Sequence, residues 1–123
     1  MVFSNLRRVP AEKMLPGVKV RHIYLKGMLV SVVEYEPNAM LVRHEDTGAQ
    51  ISIVLEGEVE AVVGKEKKRV KAGGIVFVPP HTPHSMRAFK EGAKVVCTSS
   101  PVTKPYVFEP LPDIYERDRS GDW

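Results

Sequence analysis

His44, Asp46, Gln50 and His84 are the side chains of this sequence whose types together could hold a metal ion. In an extended strand residues two apart share a face, so His44 and Asp46 point together while Glu45 points away. Gln50 keeps the same parity beyond the Thr47-Gly48 turn and could return to that face on the following strand. Pro79, Pro80 and Pro83 stiffen the approach to His84 and could aim its imidazole at a fixed point. Two imidazoles, a carboxylate and an amide oxygen suit a divalent first-row ion such as Mn, Fe, Ni or Zn. Such an ion polarises a substrate carboxylate or carbonyl as a Lewis acid. Each pair also has an ordinary reading, His44 and Asp46 as a strand end at the surface and His84 as a loop histidine. Spacing alone leaves both readings open.

Three further residues carry weaker signals. His81 reads as a solvent-facing loop residue, with a place at the rim of a pocket as the sharper alternative. His22 lies on an early β-rich stretch and reads as a packed or edge histidine. Cys97 sits in Val95-Val96-Cys97-Thr98-Ser99, where Val95, Cys97 and Ser99 share one face. A free cysteine there is most often an inert core filler; facing inward it could instead contact a substrate or ligate, although nothing beside it lowers its pKa. No general base beyond the candidate ligands stands out. The catalytic residues therefore stay unknown, and isomerase, lyase and dioxygenase chemistry stay equally open.

The elements that must position these residues are short strands. β-rich stretches fall at 18–25, 28–36, 40–44, 50–55, 59–63, 68–71, 75–78, 85–89 and 94–99. Turn signals separate them: Lys26-Gly27, Pro37-Asn38, Thr47-Gly48, Glu56-Gly57-Glu58, Gly64-Lys65, Ala72-Gly73-Gly74, Pro79-Pro80 and Glu91-Gly92. Strands at this spacing with Gly and Pro at the joints predict a sandwich or barrel. The one place for a short helical turn is 11–15, before Pro16. From Pro101 to Pro112 four prolines alternate with Tyr106, Val107, Phe108 and Leu111, which predicts an extended arm.

Size and composition narrow the function classes. A chain of 123 residues fits one domain, with 43% hydrophobic and 27% charged residues as in an ordinary globular protein. No apolar run is long enough to cross a bilayer, and the start carries no apolar h-region, so the expectation is a cytoplasmic protein with no membrane partner. A single cysteine excludes an internal disulfide and agrees with a reducing compartment. Net charge is +3, and the densest basic run, from Lys65 to Lys71, follows Gly64 as a solvated hairpin tip would. No aromatics interleave with it, so nucleic acid is not an expected partner.

The whole pattern resembles the cupin superfamily. Its first motif is glycine, five residues, His-x-His, three or four residues, Glu, six residues, Gly; here stand Asn38, five residues, His44-x-Asp46, three residues, Gln50, six residues, Gly57. The second is Gly, five residues, Pro-x-Gly, two residues, His, three residues, Asn; here stand Gly73, five residues, Pro79-x-His81, two residues, His84, three residues, Ala88. The resemblance spans about 18–100 and implies an all-β, double-stranded antiparallel β-barrel, a single cupin domain followed by the proline-rich arm 101–123. Carried over residue by residue, it implies metal ligands at His44, Asp46, Gln50 and His84. Asp46 replaces the usual second His and Gln50 the usual Glu. The site is then either a two-His site with a carboxylate, or one in which Asp46 merely bonds a loop.

Among cupins the chain is most similar to the small pectin-degradation group, which opens the ring of unsaturated uronates. That activity implies an acid, an aromatic and an arginine near the last strand, where this chain carries Cys97, Ser99 and Thr103. The resemblance thus supports the architecture and not the sugar chemistry. The expectation is a metal-binding cupin acting on a small polar or carboxylated metabolite, sugar-derived ones included, with a non-catalytic ligand-binding module or a vestigial barrel as the alternative. No cofactor besides the metal is expected. Parity also places Ile51, Ile53 and Leu55 on one outer face, a patch that predicts a homodimer, which cupins often form.

Overall fold

The computed structural model describes residues 3–100, and the expected arm from 101 onward lies outside them. After one turn of 3-10 helix (Leu6–Arg8) come eight strands: β1 (Glu12–Leu15), β2 (Val18–Leu25), β3 (Met28–Tyr35), β4 (Met40–His44), β5 (Ala49–Val63), β6 (Glu66–Lys71), β7 (Ile75–Val78) and β8 (His84–Ser100). Every pairing is antiparallel. The long strands β5 and β8 pair with each other and belong to both walls. Residues 49–54 and 95–100 lie in a wall of order β1-β2-β3-β8-β5-β7. Residues 59–63 and 84–88 lie in the other, of order β4-β8-β5-β6. The result is an antiparallel β-barrel of jelly-roll form, as the strand spacing predicts.

The bend between the walls depends on two glycines. The β5–β8 register shifts between Val54 and Glu56 and again between Gly57 and Val59. Gly57 and Gly92 have φ of 74° and 73°, and a Cβ on Gly57 would stand 2.1 Å from the Gly92 carbonyl oxygen. The sequence signals Glu56-Gly57-Glu58 and Glu91-Gly92 read as turns between separate strands. They are instead bulges within continuous strands, which absorb the extra residues and turn the ladder without breaking it.

Two more expectations change. Where the sequence suggests a helical turn over 11–15, residues 12–15 form β1, pairing Glu12 with Val20 and Lys13 with Lys19. Five residues before a proline make too few hydrogen bonds to offset helix nucleation, while the edge of β2 offers unpaired backbone groups. The barrel therefore begins near 12, not 18. The basic run extends beyond the Gly64-Lys65 tip along β6, an edge strand. There Arg69 donates to Glu58 at 2.7 and 3.0 Å and lies 4.2 Å over the Phe89 ring, so part of the run is locally neutralised.

Alternation fills the interior with small branched residues. Val18, Val54, Val59 and Val95 are fully buried, with Val20, Val33, Val70, Val76 and Val78 packed in the same core. On β5 the parity holds as expected: Ser52 and Val54 are buried while Ile51, Ile53 and Leu55 are exposed. Ile75 and Phe77 of β7 join them outside.

Candidate metal centre

β4 ends at His44 directly opposite His84, the first residue of β8. Their rings lie 4.2 Å apart between centroids, tilted by 54°. Each Nδ1 is held by a backbone carbonyl two residues earlier: His44 by Val42 O and His84 by Thr82 O, both at 2.9 Å. A carbonyl only accepts, so each Nδ1 carries the proton and each Nε2 presents a lone pair. Both Nε2 atoms stand 3.6 Å from Asp46 Oδ2, and one ligand atom from each of the three residues lies within 4.8 Å of the others. Donors bound at about 2.0–2.2 Å to one ion are themselves roughly 3–4 Å apart, so the set fits a metal.

His84 adds an independent sign. It is 7% exposed, and its Nε2 is buried with no hydrogen-bond partner. An unsatisfied buried acceptor costs about 1–3 kcal/mol, a cost that a bound cation removes. Gln50 reaches the same point and donates from Nε2 to Asp46 Oδ2 at 2.5 Å. Asp46 itself is fixed through its backbone, whose carbonyl accepts from the His81 N–H at 2.8 Å.

The cluster forms part of the wall of a cavity of about 460 Å³, within the usual range for small-ligand pockets. Most of that wall is apolar, with Leu15, Val20, Leu29, Val33, Leu41 and Val42 contributing. Among the described residues no lysine or arginine lines it, and Asp46 is its one acidic group. Deeper polar groups pair off: His22 Nδ1 lies 2.8 Å from Ser31 Oγ, and Ser52 Oγ lies 3.1 Å from Cys97 Sγ. Burial pushes the Cys97 thiol up, only partly opposed by the Ser52 hydrogen bond, so the group stays protonated and a poor nucleophile. Burial also holds the His22 imidazole below its ordinary value, against the pull of Glu12.

All four predicted ligand residues thus meet, although the Gln50 amide faces Asp46 first. Cys97 lines the cavity, as does Ser99; Thr103 lies outside the described residues. His81 does not line it. It is an exposed loop residue at φ 57° whose contribution is the backbone bond to Asp46. The sequence reading missed His22 and Ser31 as cavity residues. A signal existed, because His22 shares the parity of the buried Val18 and Val20.

The motif positions explain how the departures are tolerated. Asn38, Gly57, Gly73 and His81 occupy the places of the four motif glycines, and all four have φ between 57° and 92°. The left-handed backbone is kept where the glycine is not, with Asn the residue best suited to the exchange.

A family model for the cupin domain matches residues 31–99. The chain is 31% identical over 107 residues to an uncharacterized protein of Methanocaldococcus jannaschii, covering 86% of this chain and 78% of that one. An RmlC-like cupin from Shewanella frigidimarina superposes with a TM-score of 0.77 at 25% identity, over 86% of this chain and 96% of the other. KdgF from a Halomonas species also gives 0.77, at 21% identity, over 87% and 98%. At that identity the last likeness concerns the fold alone.

Proposed function

The chain belongs to the cupin domain family, and from that premise we propose that it is a metal-binding cupin acting on a small oxygen-bearing metabolite. The observation that carries this reading is the convergence of two lone-pair nitrogens, His44 Nε2 and His84 Nε2, on Asp46 Oδ2, with the His84 nitrogen buried and unpartnered. His44, Asp46 and His84 would hold Mn, Fe, Ni or Zn, and Gln50 would steady the carboxylate or turn its Oε1 to the same point. When bound, the ion supplies Lewis-acid polarisation of a substrate carboxylate or carbonyl. The Val42 and Thr82 carbonyls keep both imidazoles in the tautomer that ligates. The apolar wall would cover the body of a bound ligand, while the cluster at its head stays open to solvent, with the His44 and Asp46 side chains 35% and 41% exposed.

Most of the wall that a sugar-derived body would meet is apolar, and among the described residues it carries no cation. The pectin-group activity is accordingly not proposed. A non-catalytic ligand-binding cupin is the second reading, favoured by the absence of any acidic group beyond Asp46 among the described residues of the cavity. We further propose a cytoplasmic homodimer, paired through the outer aliphatic face.

Calorimetric titration of chelator-treated protein with Mn, Fe, Ni and Zn salts tests the metal reading. One ion per chain is expected, with affinity lowered more than about tenfold in His84→Ala. Equal affinity in the wild type and that variant would overturn it.

A further inference from the structure

Beyond the metal cluster, the inner face of the β2-β3-β8-β5 wall carries a polar cross-strand row beside a row of valines. Register sets His22 opposite Ser31, Ser31 opposite Cys97, and Cys97 opposite Ser52. The adjoining inner row is Val20, Val33, Val95 and Val54, all buried. Within the polar row Ser52 and Cys97 satisfy each other, and Ser52 is 2% exposed. His22 differs. It is partly exposed on the cavity wall, Ser31 takes Nδ1, and no hydrogen bond among the described residues engages Nε2. His22 Nε2 is not among the buried unpartnered atoms, so it is open to a group that occupies the cavity.

Position adds the second half of the case. β2, which carries His22, stands three strand places from β5, which carries Gln50. At about 4.8 Å per place this is roughly 14 Å along the sheet. The metal cluster and His22 therefore stand at separated points of the cavity, and the wall they share carries Leu29, Val33 and Leu41 beside the small polar residues Ser31, Cys97 and Ser99.

We propose that His22, oriented by Ser31, is the second recognition point of this cavity, and that it selects an elongated ligand with an oxygen-bearing head at the metal cluster, an apolar body and a far hydroxyl hydrogen-bonded to the imidazole. A hydroxyl both donates and accepts, so it suits either tautomer of His22. Burial keeps the ring neutral, which matches an uncharged group better than a carboxylate. The head of this ligand rests on the metal reading above; the His22 contact does not.

The test uses three hydroxamate probes on nickel-loaded protein: acetohydroxamate, hexanohydroxamate and 6-hydroxyhexanohydroxamate. By calorimetry the hexano probe should bind at least tenfold tighter than the aceto probe. The hydroxylated probe should bind within threefold of it, although a hydroxyl buried without a partner would cost more. His22→Leu should weaken the hydroxylated probe about tenfold and leave the hexano probe unchanged or tighter. His22→Gln and Ser31→Ala should show the same selectivity in smaller degree, which covers the case in which the leucine variant fails to fold. Variants that shift both long probes equally, or an aceto probe as tight as the hexano probe, would overturn the proposal. A metal-free arm separates the two readings: hexane-1,6-diol should move the His22 ring signals in NMR of the wild type without metal. Movement in a protein that binds no nickel would refute the metal reading alone. Nickel binding with unmoved His22 signals would refute the His22 contact alone.

Discussion

Asp46 stands where the cupin motif usually has histidine, and the exchange alters the charge of the cluster while leaving its reach intact. Asp46→Asn keeps the shape and removes the charge, so it should weaken metal binding by about tenfold or more. Asp46→His restores the more usual ligand and should match or exceed the wild type. Competition against a chelating dye measures all three; identical affinities would show that Asp46 points its charge elsewhere in function. His22 yields a pH prediction with a definite sign. Its imidazole lies below the ordinary value because of burial, with Glu12 opposing. The unfolded chain therefore protonates first as pH falls. The stability involved is complete above about 6.5 and drains away as pH drops towards the lower folded value. His22→Gln should lose less stability than the wild type between pH 7 and 5 in urea unfolding; parallel losses would contradict this. The ligand residues were legible because type and spacing survive in the linear chain. His22 reads from the sequence only as a packed or edge histidine, because its parity gives an inward side without saying whether core or cavity lies there.

At the scale of elements, the bounds of β2, β4 and β7 could be read directly, since alternation and flanking Gly or Pro are local properties. The fusion of 50–55 with 59–63, and of 85–89 with 94–99, could not. A glycine at a turn and a glycine in a bulge look alike until the partner strand is known, and that partner lies some forty residues away in the β5–β8 ladder. The same ladder makes a sharp prediction. Gly57→Ala must hold a positive φ and place its Cβ against the Gly92 carbonyl, which should cost about 2–4 kcal/mol. Chemical denaturation reads the loss, and an unchanged midpoint would mean that the walls do not depend on this contact. β1 eluded the sequence reading for a related reason: four residues become a strand only because β2 offers an edge.

At the scale of the molecule, the outer face of the β1-β2-β3-β8-β5-β7 wall carries two nearly apolar cross-strand rows. Ile23, Val30, Thr98, Ile51 and Phe77 align in one; the next runs Arg21, Val32, Val96, Ile53 and Ile75, where Val32 is buried and the apolar surface is that of Val96, Ile53 and Ile75. Patches of this extent are seldom left in water, and two-fold pairing of such faces is the proposed remedy. Light scattering should give twice the 13.8 kDa chain mass, and Ile53→Glu should shift it towards the monomer; a monomeric wild type at micromolar concentration would rule the pairing out. Function, however, turns on the cluster at the strand ends, where β4 and β8 bring His44 and His84 together over Asp46. Elemental analysis of protein purified without a metal-affinity tag tests that claim most directly. Close to one equivalent of Mn, Fe, Ni or Zn per chain is expected, lost in His84→Ala; a wild type that retains no stoichiometric metal, even after incubation with each salt and desalting, would contradict the metal reading.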